Sequence, residues 1–132
     1  MNEVIVFPDI VMALCTWLRT ELAARGPAIP VGTDVPKPRP DKFVTLRRVG
    51  GVTRNLVTDS ATVSFEAWAP AEEDAHDLAQ LVRALVLASP RSTSLTVYRV
   101  DEFAGPASLP DPDSDQPRFT FTAAVSYRGA AV

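Results

Sequence analysis

Between Phe43 and Ala88 the chain reads FVTLRRVGG, VTRNLVTDS and ATVSFEAWAPAEEDAHDLAQLVRALVLA, and this order constrains the fold more than any other stretch. A period of two passes directly into a period of 3.6. From Ala61 to Ala69, Val63, Phe65 and Ala67 fall on one side of a strand, and Thr62, Ser64 and Glu66 on the other. Pro70 then opens a helix whose first turn carries Glu72, Glu73 and Asp74, where the spare N–H groups favour negative charge. Ala75, Leu78, Ala79, Val82, Leu85 and Val86 form its apolar stripe, and Ser89-Pro90 ends it. Leu81 and Leu87 lie off that stripe, which makes the helix more apolar than one core face requires. A half-buried strand followed at once by such a helix calls for helix layered on sheet.

The flanking segments extend this plan. Phe43 to Val49 reads as a short strand, Gly50-Gly51 as a turn, Asn55 to Thr58 as the returning strand and Asp59-Ser60 as a second turn. Trp68 falls on the polar side near a strand end, a place for covering an edge or touching a partner. Ahead of these, Val11, Leu14, Cys15, Leu18 and Leu22 recur at helical spacing and predict a helix from about Asp9 to Arg25, closed by Gly26-Pro27. Leu95 to Phe103 is rich in strand formers, and Phe119, Phe121, Ala123, Val125 and Tyr127 alternate with polar or small residues. The order α, β, β, β, α, β, β predicts a single α+β domain over residues 1–132. It has an antiparallel four- to five-stranded sheet with two helices packed on one face.

Two proline-rich stretches interrupt the plan. Residues 26–41, GPAIPVGTDVPKPRPD, hold five prolines and two glycines, so they read as an extended arm or loop across 26–42. Residues 105–117, GPASLPDPDSDQP, hold four prolines and three aspartates and read as an acidic loop. Loops this long in a compact domain usually have a task.

The side-chain inventory argues against an enzyme. His76 is the only histidine and falls one position off the apolar stripe, facing solvent. With Cys15 alone and on a packed stripe, a Cys/His metal site cannot be assembled, a Ser-His-Asp relay has one possible base in an unpromising place, and no cofactor is expected. Glu72/Glu73 already serve a helix start, and Asp113/Asp115 lack the glycine of a calcium loop. Thirteen basic against sixteen acidic residues give a net charge of −3, which disfavours a free-standing nucleic-acid binder. No apolar run approaches the roughly 20 residues a membrane span needs. One cysteine and no basic leader predict a soluble protein made in a reducing compartment.

Taken as a set, FPDIVMALCTWLRTEL, FVTLRRVGG, SFEAWAPAEEDAHDLAQLVRAL and PDPDSDQPRFTFTAAVSYRG resemble the tail terminator proteins of long-tailed phages that infect actinobacteria. The resemblance spans nearly the whole chain. It implies an α+β subunit of a hexameric ring that sits on the finished tail tube, stops its polymerisation and presents the tail to the head. The partners it implies are further copies of the chain, the tail tube protein and a head–tail connector protein. DNA would pass through the lumen without sequence-specific binding, and no membrane is involved. The place is the head-proximal end of the virion tail, assembled in the host cytoplasm. A globule of this length has a diameter of about 36 Å, and six in a ring leave a hole of about 36 Å, wider than a duplex. Another neck or stopper protein is the alternative station. A ligand- or RNA-binding α+β domain is the alternative class, and it would need aromatic platforms on an open sheet face.

Candidate contact residues follow from charge. Arg47, Arg48 and Arg54 surround the Gly-Gly pair, and a bulge is required for the first two to share a face. Asp111, Asp113 and Asp115, with Arg118 just beyond, form the acidic counterpart expected to meet the basic turn of a neighbouring copy, and Trp68 is the aromatic contact.

Overall fold

The computed structural model of the chain describes residues 4–53, 55 and 57–131. The elements are β1 Ile5–Val6, α1 Ile10–Ala23, β2 Val31–Gly32, β3 Phe43–Thr53, β4 Thr58–Trp68, α2 Glu72–Ala88, a 3-10 turn Ser89–Arg91, β5 Val97–Ser108, β6 Arg118–Arg128 and β7 Ala130–Ala131.

Both helices form where their residues dictate. Asp9 caps α1 by accepting the Met12 amide at 3.1 Å, and Ile10, Val11, Leu14, Cys15, Leu18 and Leu22 are buried along one stripe. In α2 the six buried residues are Ala75, Leu78, Ala79, Val82, Leu85 and Val86, below a first turn of three acids. Leu81 packs against the core edge, while Leu87 is exposed.

The main sheet runs β2-β3-β4-β6-β5. Its four long strands are antiparallel, but β2 runs parallel to β3, so the sheet is mixed and not antiparallel throughout. The physical reason lies in the proline arm. Proline cannot donate to a ladder but its carbonyl can accept, and Pro30 takes the Val44 amide at 2.9 Å. Part of the supposed loop is thereby an edge strand, fixed to α1 by Arg19 donating to the Val31 carbonyl at 2.8 Å. A second, two-stranded pairing joins β1 to β7.

The expected turns at Gly50-Gly51 and Asp59-Ser60 are not turns. Both pairs lie inside long strands, and the chain reverses between Thr53 and Thr58, where Asn55 donates its amide to the Thr58 carbonyl. The glycines serve a bulge instead: register shifts between Arg48 and Gly50, and Gly51 adopts φ 130°. A Cβ at Gly51 would meet the Ser60 carbonyl oxygen at 2.1 Å. Three segments expected between Phe43 and Ala69 are therefore one hairpin of two eleven-residue strands.

One sheet face carries Val44, Leu46, Ala61, Val63, Phe65, Ala67, Phe121, Ala123, Val125 and Tyr127, and these form a single core cluster with the stripes of both helices. Phe65 and Phe121 stack at 4.7 Å within it. The remaining edge strand, β5, reaches Ser108, so the acidic loop begins four residues later than the prolines suggest. Bulges at three places let β5 carry Gly105 and Pro106 at a sheet edge.

Candidate functional site

The strands set two ends and two edges, and the expected contact residues distribute over them. At the hairpin end, Arg48 follows Leu46 on the helix-side face. Its guanidinium donates to the Tyr127 hydroxyl at 3.2 Å and reaches Asp59 at 3.4 Å. Tyr127 donates to the same Asp59 oxygen at 2.7 Å, and Thr53 lies at 3.5 Å from the other. Burial pushes the Asp59 carboxyl up, but the Tyr127 hydroxyl, the Ser60 amide and Arg48 outweigh it and hold it below its ordinary value. Tyr127 moves the other way, raised by burial and by its bond to Asp59. Arg48 is thus tied into the fold. Arg47 is exposed and makes no ion pair among the described residues. Arg54 lies outside the described residues.

At the opposite end, Trp68 is buried and is no free contact. Its ring stacks on Phe43 at 5.0 Å, its Nε1 donates to Thr45, and Thr45 donates to Glu66. The guanidinium groups of Arg39 and Arg118 lie 5.6 and 5.0 Å from the indole. Arg118 also donates to Glu66 at 3.2 Å and to the Leu109 carbonyl at 2.8 Å, so it braces the loop. The burial follows from the arm and the loop closing over this end together: Arg39 donates to Gln116 at 2.6 Å and Gln116 to the Asp41 carbonyl at 3.4 Å.

The acidic loop is internally built. Asp111 is buried and accepts from Ser114 and from the Asp113 amide, and the Ser114 hydroxyl leads the groups that lower its pKa. Asp115 takes a positive φ of 56°, which aspartate tolerates, while donating to the Asp111 carbonyl. Asp113 and Asp115 are exposed. Arg47 lies mid-strand, level with Ser64 and Thr122, and Thr122 is four residues along β6 from Arg118 at the foot of the loop, about 13 Å.

The edges were not anticipated. β2 covers β3 only at Val44 and Thr45, and from Leu46 to Thr53 no strand among the described residues pairs with that side. On the far side β5 is the last strand. Phe103 on β5 is 66% exposed, and Val49 and Val52 on β3 are 52% and 68% exposed. Beside the open part of β3 lies a groove of about 280 Å³ lined by Asp9, Val11, Met12, Thr33, Leu46, Arg47 and Arg48.

Elsewhere, His76 lies exposed on α2, 3.3 Å from Asp77 and edge-on to Phe119. Among the described residues no three His, Cys, Asp or Glu side chains gather as a metal site, and no helix is long and apolar enough to cross a membrane. No family model matches the chain, and no curated protein matches it.

Proposed function

We propose that this chain is a structural ring subunit that caps the tail tube of a long-tailed phage, ends its polymerisation and joins the tail to the head. Two things support the reading: the resemblance of four segments to tail terminators, and a sheet that among the described residues is open along β5 and along β3 beyond Thr45. The second observation carries it. A subunit with two different open edges, each bearing exposed apolar side chains, has the surfaces that head-to-tail association into a closed ring requires. In this reading the partners are further copies, as a hexamer, the tail tube protein and a connector protein. The net charge of −3 suits a conduit that lets DNA pass without holding it. Another neck or stopper protein of the same phage would use the same surfaces, and only the station differs.

The RNA-binding reading loses its platform. Phe121 and Tyr127 face the helices at 3% and 1% exposure, and Phe119 packs against the same cluster.

The proposal is tested by mixing the purified protein with isolated tail tubes and imaging them in negative stain. Density capping one end of each tube is the expected result. Binding along the tube wall, or none, contradicts it.

A further inference from the structure

The register across the sheet places two unusual residues on either side of one row. Arg48 pairs with Val63, Val63 with Ala123 and Ala123 with Glu102. Arg47 leads in the same way through Ser64 and Thr122 to Ala104. Phe103, in a bulge of β5, lies between these two rows, and Val49, in the bulge of β3, lies just beyond the Arg48 row. Bulges re-aim side chains at sheet edges, and both of these point apolar groups at solvent. The edges that carry them run in opposite directions, because β3, β4, β6 and β5 alternate. A copy turned about an axis along the strands therefore presents its β3 antiparallel to this copy's β5.

The chemistry of the two edges is complementary. The β3 edge offers Arg47 and the groove of Val11, Met12 and Leu46, and Met12 is itself exposed. The β5 edge offers Phe103, with Asp101 two residues before it. Among the described residues Asp101 pairs with Arg99, in an exposed pair within its own strand, and such pairs contribute little, so the carboxylate is open to exchange for Arg47. Glu102 is committed to Arg83 on α2 and fixes the strand. The twist accumulated over three strand steps rotates β5 by roughly 60–75° from β3, so the edges meet around their bulges and not along their whole length.

We infer that copies of this chain meet head to tail through these edges, Phe103 of one copy seating in the groove beside β3 of the next while Asp101 faces Arg47. The inference rests on the ring reading only in requiring that copies associate; it needs no tail tube. A second copy is the fitting occupant because the groove and the edge that matches it lie at one height on opposite sides of the same sheet.

Cross-linking in trans tests it. Val49→Cys and Ala104→Cys are made separately and together, and Cys15 is buried and stays out of the reaction. With a short bis-maleimide at high protein concentration, each single variant alone gives monomer, their mixture gives a dimer, and the double variant gives a ladder. Phe103→Asp, at an exposed position, keeps the monomer's melting curve and weakens association roughly thirtyfold, the effect of losing a hot-spot aromatic. A dimer from Val49→Cys alone means two-fold pairing of like edges and overturns the inference. No cross-link in the mixture overturns it as well, as does a double-cysteine variant that ladders equally with Phe103→Asp added. The ring reading is judged separately, at the tube end: capping without cross-links sinks the contact alone, and a ladder without capping sinks the tail reading alone.

Discussion

Tyr127, next to the end of the last long strand, donates its hydroxyl to Asp59 at 2.7 Å, closing the hairpin end of the sheet over a buried carboxylate. The strands carrying them pair directly, Asp59 opposite Tyr127, so the bond adds a side-chain link to a row of backbone ones. Tyr127→Phe removes one donor from that carboxylate and is expected to cost about 1–3 kcal/mol in denaturant unfolding. A loss below about 0.5 kcal/mol would show that water replaces the hydroxyl.

The same carboxyl makes stability depend on pH. Its folded pKa lies below the ordinary value, so its contribution is complete above about pH 4 and declines as pH falls through the folded value. Tyr127→Phe takes away a donor that lowers it, so the variant should lose less stability in acid, and the gap between the two proteins should narrow as pH falls below about 4. Unfolding midpoints measured between about pH 3 and about pH 7 check this, and a gap that stays constant with pH would contradict it.

Neighbouring glycines should behave oppositely. Gly50 faces open space, and Gly50→Ala is expected within about 0.5 kcal/mol of the parent. Gly51→Ala puts a Cβ against the Ser60 carbonyl at a φ of 130°, and should cost about 1–3 kcal/mol or more. Thermal melts of the two variants decide the matter, and equal melting temperatures would remove the bulge from the account.

Arg47 and Arg48 are separable. Arg47→Glu leaves the monomer's stability within about 0.5 kcal/mol and weakens self-association, whereas Arg48→Glu sets a carboxylate against Asp59 and destabilises the monomer by more than about 1 kcal/mol. Unfolding curves and sedimentation of both variants make the comparison. Equal stabilities would mean that Arg48 is as idle in the fold as Arg47.

Much of the fold was legible because periodicity is local. The stripes of α1 and α2 and the alternation from Val63 to Ala67 and from Phe121 to Tyr127 are buried as their spacing dictates. The misreadings share a cause, which is satisfaction from a distance. Asp59-Ser60 looks like a turn until Tyr127 and Arg48 arrive to satisfy the aspartate. Extending the alternation of Ala61, Val63 and Phe65 back two residues would have placed Asp59 on the core face. Gly50-Gly51 looks like a turn because a bulge demands the same residue. Trp68 and Arg118 read as contacts in the sequence, and only the meeting of the arm with the acidic loop shows what they do in the fold. Phe103 could not be singled out, because its exposure depends on where β5 slips register.

The proposed role is tested most directly by deleting the gene from the phage that carries it and measuring tail lengths in electron micrographs. The account predicts tails of uncontrolled length, unattached to filled heads, with normal length restored by the intact protein. Tails of normal length joined to heads in the deletion would contradict it.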